Sequence, residues 1–344
     1  MSEKTSLTCR FFSIFALFLL LFQAGFAQKS LSGADEFFTR NQKKLGSKVV
    51  AMVVKDGQVL YKKESGDFLV KTSVPAAACT QWLTAAVVMK LVEEGKMDLD
   101  DPVANYIPIF SKYMKNYITI RHCLTHTTGI QEPKGAAGML QKKKFSTLEE
   151  EVNAIAAREI AYKPGEMFIF SNTGLSIAAR VAEVVTKKGF DRLLQEKITR
   201  PLKMRGTTVA DDNGGAVNPG WGARTTAQDY AAFLSMLLNN GMFEDKQILT
   251  QESIDLICSV QTGSATMKSF PPAANGFGYG LGCWIQERDG NGNGILVSCP
   301  GISNCWVFIN REKKYGAVVL TQNFPGEQKA ELFEQLRTAI EEEL

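Results

Sequence analysis

Two histidines are the first residues whose spacing could support chemistry. His122 and His126 are the only ones in the chain, and they are spaced i, i+4. On a helix this spacing brings both imidazoles to one face, where they could bind zinc. The helical zinc motif of metalloproteases needs a glutamate directly after the first histidine, but Cys123 stands there and no third ligand is evident. We therefore predict that both histidines pack in the core and that the protein holds no metal or other cofactor.

The cysteines are a second source of nucleophiles and ligands. Besides Cys9, the sequence has Cys79, Cys123, Cys258, Cys283, Cys299 and Cys305. There is no CxxC pair and no cysteine–histidine spacing suited to zinc. Scattered thiols in a large domain are usually buried and free, and only Cys299 and Cys305 are close enough in sequence to suggest a disulfide.

The charge pattern does not indicate a nucleic-acid partner. The net charge is +3 at neutral pH, and basic and acidic residues are mixed along the 344 positions. No basic stripe, zinc finger or RNP-like strand is present, and nucleic-acid-binding domains are identified by such features. We expect no nucleic-acid partner.

The N-terminus has the pattern of an export signal. Lys4 and Arg10 precede an apolar run at residues 11–22, and the small residues Gly25 and Ala27 follow it. This predicts a signal peptide over residues 1–27, cleavage near Ala27, and a secreted or periplasmic mature chain. A membrane anchor is the alternative, but the run is shorter than the ~20 residues that a transmembrane helix needs. We expect no membrane span in the mature chain.

Strand patterns occur at both ends of the chain. The run "KVVAMVVKDGQVLYKKESGD" contains two β-rich segments joined by Asp56 and Gly57, which is a strong hairpin signal. Residues 281–322 return to strand patterns, and residues from about 68 to 240 have helical periodicity. Amphipathic segments at residues 34–45 and 327–344 add terminal helices, the second with Ala330, Phe333, Leu336 and Ile340 on one face.

These elements together predict the fold class. With 45% hydrophobic residues, the chain is long enough to bury one large core. We predict an α+β fold in which the N- and C-terminal segments form one antiparallel sheet, flanked by helices, with a mainly helical lobe inserted between them. A functional cleft is expected between the sheet and the inserted lobe.

A buried helix is predicted within "SVPAAACTQWLTAAVVMKLVEEGK", residues 73–96. Ala78, Trp82, Ala85 and Met89 step by four and three along it, and apolar residues fill most of the remaining positions. A helix this apolar is expected to be buried on nearly every side. Gly95 then suits the left-handed residue that ends it.

Six blocks of the sequence resemble successive parts of the serine β-lactamase and penicillin-binding-protein superfamily, in particular its class C β-lactamase and esterase branch. They are "QWLTAAVVMKLVEEGKMDLDDPVANYIP", "ITIRHCLTHTTGI", "YKPGEMFIFSNTGLSIAARVAEVVT", "ITRPLKMRGTT", "GARTTAQDYAAFLSMLLNNG" and "GYGLGCWI". They keep the family's order within residues 49–323. The resemblance implies a β-lactamase/transpeptidase-like fold and one β-lactamase-related domain over residues 28–344. Its sheet lobe would comprise about 30–67 and 241–344, and its helical lobe about 68–240.

Three motifs carry the chemistry of that superfamily. S-x-x-K, at the start of the buried helix, supplies a nucleophilic serine and a lysine one turn later. Y-x-N supplies a phenol for proton transfer and an amide for the substrate, and K-T-G or H-x-G supplies a cation and a backbone donor to the oxyanion hole. By this resemblance, counting back from "LVEEGK" places Ala78 and Gln81 at the serine and lysine positions. Phe170 takes the tyrosine position, and Cys299, shortly before "NCWVFIN", takes that of the third-motif cation.

The same resemblance identifies groups that could still bind a ligand. Asn172 and Gly301 keep the family's residue. By resemblance, the oxyanion hole uses the backbone N–H of residue 78 and that of Ile302. Ala78 retains its N–H, so this pocket is expected to hold a carbonyl or carboxylate without attacking it.

The substitutions lead to two competing hypotheses about function. The main one is an exported, non-catalytic pseudoenzyme that binds a small molecule, a peptide or cell-wall fragment, or an active paralogue. The alternative is an active hydrolase or transferase of esterase or peptidase type, with a mechanism reassigned to Cys79, Cys299 or the bare oxyanion hole. Cys79 lies one residue beyond the serine position, about 100° around a helix, so its thiol is expected to point away from the cleft.

Overall fold

The computed structural model describes residues 31–46, 48–132, 145–210, 214–300, 305–322 and 329–344. The predicted signal peptide, Gly301 and Ile302 lie outside these ranges, so the roles assigned to them stay predictions. Within the described ranges, no helix is both long and apolar enough to cross a membrane.

The centre of the fold is a seven-stranded antiparallel sheet. Its spatial order is β2 (Gln58–Lys63), β1 (Lys48–Lys55), β13 (Tyr315–Gln322), β12 (Cys305–Asn310), β11 (Gly294–Cys299), β10 (Trp284–Arg288) and β9 (Gly278–Tyr279). The first strand of the chain thus pairs with the last one, Lys48 lying opposite Gln322, and β2 pairs with β1 at the edge. This arrangement confirms the predicted α+β class and the sheet built from both ends of the chain.

The hairpin between β1 and β2 turns at the two residues predicted from the sequence. Asp56 and Gly57 both have positive φ, 49° and 75°. A two-residue hairpin loop with positive φ at both positions matches the right-handed twist of the flanking strands. The Asp-Gly pair therefore sets the register of the sheet edge.

Helices cover both faces of the sheet and form the inserted lobe. Their bounds are α1 (Ser32–Arg40), α2 (Gln42–Leu45), α3 (Thr80–Glu93), α4 (Ile109–Lys112), α5 (Ile120–Leu124), α6 (Leu148–Ala156), α7 (Thr173–Thr186), α8 (Phe190–Leu194), α9 (Ala227–Leu238), α10 (Gln251–Ile257) and α11 (Lys329–Glu341). Short 3₁₀ turns occupy Ala77–Cys79, Val103–Asn105 and Pro272–Ala274, and a π-helical turn occupies Gln195–Thr199.

Short strand pairs that the sequence pattern did not predict also occur, some of them within the region of helical periodicity. The pairs are β3 (Val74–Pro75) with β5 (Arg224–Thr225), β4 (Met167–Ile169) with β8 (Thr266–Ser269) and β6 (Met242–Phe243) with β7 (Lys246–Gln247). Strands of two to four residues are too short to show a period-2 pattern in the sequence. Two of these pairs, β3–β5 and β4–β8, hold the segments that precede the candidate site.

Alternation along β1 divides the core between the two faces of the sheet. Val49, Ala51 and Val53 pack with α1 and α11, whereas Val50 and Met52 pack with the helical lobe. Successive side chains of a strand point to opposite faces, so a strand covered on both sides is apolar throughout. The "KVVAMVVK" run has this composition for that reason.

The terminal helix differs from its prediction at one position. Leu332, Phe333, Leu336 and Ile340 form its buried face, whereas Ala330 is exposed. Leu332 joins Phe333 on the buried face of the helix. The apolar stripe is therefore rotated away from Ala330, which faces solvent.

Helix α3 is the buried centre of the helical lobe. Eleven of its fourteen residues are buried, as its uniformly apolar sequence predicts. Gly95 follows it with φ of 65°, which is the left-handed stop expected there. The start of α3 carries the candidate site.

Candidate functional site

Ala78 lies in the 3₁₀ turn that leads from β3 into α3. It is 3% exposed, and the turn is anchored where Ala76 N–H donates to the Ala223 carbonyl at 2.7 Å. Ala77, directly before it, has φ of 47°, a left-handed conformation that a residue with a side chain adopts only at a cost. The backbone is thus strained at the position next to residue 78.

Gln81, one turn later, belongs to a buried polar triangle. The Tyr279 hydroxyl donates to Gln81 Oε1 at 2.8 Å, and His126 Nε2 lies 3.0 Å from the same oxygen. His126 Nε2 and the Tyr279 hydroxyl are 2.9 Å apart. All three side chains are buried, with Gln81 1% exposed. We call Gln81, His126 and Tyr279 the polar triangle.

The hydrogen bonds decide which atoms of the triangle carry protons. Ser171 N–H donates to His126 Nδ1 at 3.3 Å, so Nδ1 is the acceptor and the proton lies on Nε2. His126 Nε2–H therefore faces an oxygen, which orients the Gln81 amide with Oε1 toward the triangle. Gln81 Nε2 then faces the other way and has no hydrogen-bond partner among the described residues.

The polar triangle is uncharged at neutral pH. Burial lowers the pKa of His126 to about 3, and it raises the pKa of Tyr279 far above the ordinary value. A glutamine amide does not titrate. The three side chains can exchange hydrogen bonds, but none offers a charge to a ligand.

Phe170 belongs to an aromatic cluster beside the triangle. Its ring centroid lies 4.7 Å from that of His126, 5.6 Å from Trp284 and 6.0 Å from Trp221. Phe168 completes the cluster, which we define as Phe168, Phe170, Trp221, Tyr279 and Trp284. Phe170 and Trp221 are half-buried, whereas the other three are buried, so those two present ring surface at the edge.

Asn172 occupies the position before the first residue of α7. Its Nδ2 donates to Ser176 Oγ at 3.2 Å, and Ser176 Oγ donates to Glu151 Oε1 at 3.2 Å. Burial raises the pKa of the Glu151 carboxyl. Asn172 Oδ1 is buried and has no partner among the described residues. A Cβ on Gly220 would lie 1.9 Å from this oxygen, so only glycine fits there.

Cys299 ends β11 and is 3% exposed. The Cys79 thiol is fully buried, lies 3.6 Å from the Cys305 carbonyl and neighbours Cys299. Burial, followed by the neighbouring Cys299 and Cys305, raises the pKa of the Cys79 thiol. All cysteines of the described residues are free, so a Cys299–Cys305 disulfide is wrong for this structure.

The structure brings together some predicted site residues and adds others. Gln81 and Phe170 both contact His126, and Ser171 N–H links the Asn172 loop to the same imidazole. His126 is buried as predicted, but neither His126 nor Tyr279 was expected at the site. His122 lies apart, where it is half-buried and caps α5 through Thr119, so the prediction that it packs in the core is wrong.

Two open cavities lie away from these residues. One of about 510 Å³ is lined by residues of α6, α7 and the segment 215–217, and one of about 250 Å³ lies between the end of α9 and the turns of the sheet. Neither is lined by Ala78, Gln81 or Asn172. At the candidate site itself, the side chains of Ala78 and Gln81 are buried and the described edge is formed by the half-buried Phe170 and Trp221.

Comparison with known proteins identifies the family of this chain. The sequence matches the β-lactamase family over residues 38–340. A provisionally assigned β-lactamase from Bacteroides dorei DSM 17855 has a similar structure, with a TM-score of 0.81 and 27% identity over 91% of this chain and 99% of that one. An octameric penicillin-binding protein homologue from Pyrococcus abyssi has the same fold, with a TM-score of 0.71 and 24% identity over 90% of this chain and 77% of that one.

Relatives found by sequence also match this chain, but the match does not identify an activity. Protein flp of Staphylococcus aureus strain MRSA252 is 24% identical over 327 residues, which cover 84% of this chain and 62% of flp. The chain therefore spans less than two thirds of that relative's length. The family match covers most of the sequence, and the central sheet joins segments from both ends of the chain. The chain belongs to the β-lactamase family.

Proposed function

We propose that this protein is a non-catalytic member of the β-lactamase family that binds a ligand or partner without covalent turnover. The observation that carries the proposal is the polar triangle. The residue at the lysine position is an uncharged glutamine whose carbonyl is held by Tyr279 at 2.8 Å and lies 3.0 Å from His126 Nε2. No base is available there for a nucleophile at residue 78.

The residue types at the motif positions support the same proposal. Ala78 has no side-chain oxygen to form an acyl-enzyme, and Phe170 has no hydroxyl for proton transfer. Catalytic residues that act as a unit are strongly non-additive: loss of the nucleophile alone costs about as much as loss of the whole set, on the order of a million-fold in a serine protease. Once the serine is absent, the other positions are free to change.

Replacement nucleophiles are poorly placed. Cys79 is fully buried with a raised thiol pKa, so the reactive thiolate is disfavoured. Ser171 Oγ accepts a hydrogen bond from Thr173 N–H at 3.3 Å, which is a structural role at the start of α7. An active hydrolase or transferase with a reassigned mechanism is therefore the second hypothesis, and a chemical test separates the two.

The test is covalent labelling of the full mature chain. Incubation with a fluorescent penicillin and with a fluorophosphonate should leave the protein unlabelled, as measured by intact mass. The triple variant Ala78→Ser, Gln81→Lys, Phe170→Tyr is the matched control, and we expect it to gain label on residue 78. Label on any residue of the unmodified protein, located by peptide mapping, would refute the proposal.

A second arm addresses the thiols. Esterase activity that is abolished by iodoacetamide would favour the reassigned mechanism over the binding role. Co-purification with an active paralogue, without a thermal shift on adding peptidoglycan fragments, would identify that paralogue as the partner.

We also propose that the chain is exported. The support is the pattern of Lys4, Arg10 and the apolar run before Ala27. Expression of the full sequence in a bacterial host should give a periplasmic or secreted product that begins at Gln28. A cytoplasmic product with an intact N-terminus would contradict this part of the proposal.

A further inference from the structure

We propose that the turn between α4 and α5 binds the surface of an anionic phospholipid bilayer. The turn carries the exposed side chains of Tyr113, Met114 and Tyr117, which we call the exposed patch. None of them belongs to the polar triangle or to the aromatic cluster. The inference therefore goes beyond the proposed ligand-binding function and does not depend on it.

Exposed apolar side chains are concentrated at this turn. Among the described residues, five large hydrophobic side chains are exposed, and three of these lie within residues 113–117. Met114 is 80% exposed, Tyr117 is 50% exposed and Tyr113 is 37% exposed. Single exposed hydrophobic residues are normal on a protein surface, whereas a group of them marks a surface that contacts lipid or another protein. The exposed patch is a candidate for such a contact.

A buried lysine holds the turn in place. Lys115 is 4% exposed, and its Nζ donates to the Ala156 carbonyl at 2.6 Å, in the last turn of α6. The same Nζ lies 5.2 Å from the centroid of the Tyr113 ring. The turn is thus anchored to a neighbouring helix, so presenting its side chains to a surface costs less conformational entropy than ordering a loose loop.

The backbone at Met114 supports a role for its side chain. Its φ is 55°, and its N–H donates to the Ser111 carbonyl at 2.9 Å, at the end of α4. Helices usually place glycine in this left-handed conformation, because a Cβ is disfavoured there. Packing in the core does not explain the methionine, since its side chain faces solvent. A contact with a surface outside the chain would explain it.

The charge of the turn matches an anionic surface. Residues 102–131 contain no aspartate or glutamate, but they include Lys112, Lys115 and Arg121. Lys112 is exposed and forms no ion pair with any residue that the structure describes. Lys115 donates to a carbonyl, so its ammonium is not neutralised by that acceptor.

The acidic residues that precede this stretch are engaged with other groups. Asp100 pairs with Arg121 at 2.7 Å. Asp101 accepts hydrogen bonds from the Tyr106 hydroxyl and from the Asp98 N–H. The positive charge of Lys112, beside the exposed patch, is therefore available to lipid phosphates, which attract lysines near a membrane surface.

The size of the exposed patch favours a bilayer over a protein partner. A fully exposed aromatic side chain offers roughly 200 Å², so at the observed exposures the three side chains together offer roughly 300 Å². A stable protein interface needs roughly 800 Å² on each partner. Lipid binding has no such requirement, because tyrosines lie at headgroup level, an apolar side chain enters the acyl boundary and lysines attract phosphates.

The test is co-sedimentation of the mature chain with vesicles. One set of vesicles contains equal parts of phosphatidylglycerol and phosphatidylcholine, and the other contains phosphatidylcholine alone. We expect the partition coefficient to be at least about fivefold larger on the anionic vesicles, and this preference should fall as salt is added. No binding to the anionic vesicles, or equal binding to both sets, would overturn the inference.

Variants assign the binding to named side chains. Met114→Ser and Tyr117→Ser should each lower the partition coefficient on anionic vesicles at least about threefold, because apolar area is lost from the contact. Leu69→Ser is the matched control, since Leu69 is 46% exposed and lies outside the exposed patch. All three side chains are exposed, so the variants should fold, which thermal unfolding checks. Unchanged binding in both folded patch variants would overturn the assignment.

A pair of charge variants tests the lysine. Lys112→Gln should lower the preference for anionic vesicles, whereas Lys71→Gln, at another exposed position, should not. Equal effects of the two substitutions would mean that only the net charge of the protein matters, and would overturn the role given to Lys112.

Two further readouts separate lipid from other occupants. The fluorescence of Met114→Trp should be quenched by brominated lipid more than that of the parent protein, and no additional quenching would contradict insertion of the turn. Self-association that Met114→Ser abolishes, measured by sedimentation velocity, would assign the exposed patch to a second copy of the chain and overturn the inference. Neither readout involves covalent labelling, so a failure here leaves the proposed function untouched.

Discussion

The Tyr279 hydroxyl donates a hydrogen bond of 2.8 Å to the side-chain carbonyl of Gln81, which lies 198 positions earlier in the chain. The contact joins the first turn of α3 to β9, at one edge of the central sheet. It therefore couples the packing of the helical lobe to the sheet at the candidate site.

Removing the Tyr279 hydroxyl should destabilise the protein. Tyr279→Phe leaves Gln81 Oε1 with His126 as its only donor in the polar triangle. We expect the free energy of unfolding to fall by about 1–2 kcal/mol, measured by urea denaturation. Tyr117→Phe is the control, because Tyr117 is 50% exposed and its change should be near zero. Equal effects of both substitutions would contradict the role given to this bond.

Position 81 should tolerate an apolar residue better than a lysine. Gln81→Met removes the unpaired Nε2, and His126 and Tyr279 remain 2.9 Å apart, so a change of less than about 1 kcal/mol is expected. Gln81→Lys buries an ammonium among neutral groups, which should cost at least about 3 kcal/mol at pH 7.

The lysine variant also has a diagnostic pH dependence. Burial lowers the pKa of such a lysine in the folded protein below its value in the unfolded chain. At pH values between these two pKa values, the unfolded chain therefore binds more protons than the folded protein. Its deficit in stability relative to the parent protein should shrink as the pH rises toward 9. A deficit that does not change with pH would mean that the ammonium reaches a counter-charge.

His126 should make the protein less stable in mild acid. Its pKa is about 3 in the folded state against 6.5 for the ordinary imidazole, so between these values the unfolded chain binds the extra proton. The stabilising contribution is complete above the unfolded pKa and is lost as the pH falls, by roughly 1 kcal/mol per unit. His126→Gln should flatten this part of the stability–pH curve.

Proton NMR can check the protonation state directly. The chain has two histidines, so two imidazole signals are expected, and His122→Gln assigns them. The His126 signal should not titrate between pH 7 and pH 5. Two signals that both titrate above pH 6 would contradict a neutral, buried His126.

Substitution by glycine should have different effects on stability at the neighbouring residues Ala76 and Ala77. Ala77 has φ of 47°, so Ala77→Gly relieves left-handed strain and should be neutral or stabilising. Ala76 has φ of −76°, so Ala76→Gly should cost about 1 kcal/mol. Thermal unfolding of both variants measures the difference, and an equal loss in both would show that residue 77 is not strained.

Gly220 should be required for the position of Asn172. A Cβ there would lie 1.9 Å from Asn172 Oδ1, so Gly220→Ala should displace that side chain and lower the free energy of unfolding by about 1–3 kcal/mol. Gly290→Ala is the matched control, because a Cβ at Gly290 meets nothing within 4 Å. Urea denaturation of both variants measures the difference, and equal effects would contradict the prediction.

Much of the fold could be predicted from local sequence. The Asp56–Gly57 turn, the apolar strands at both ends and the uniformly apolar α3 each follow from short-range patterns. Such patterns are reliable because burial on one or both faces sets their period. The short pair of β4 and β8 lies beyond this reasoning, since strands of three and four residues carry no period.

The candidate site, like the fold, could be predicted from the sequence only in part. The sequence alone determined the residue types at positions 78, 81, 170 and 299, and hence which side-chain chemistries are present there. Only the tertiary structure decided what those side chains contact. His126 and Tyr279, 45 and 198 positions from Gln81, converge on one carbonyl, and Cys299 and Cys305 remain free thiols. Contacts between distant residues depend on how whole elements pack, and no local periodicity encodes that packing.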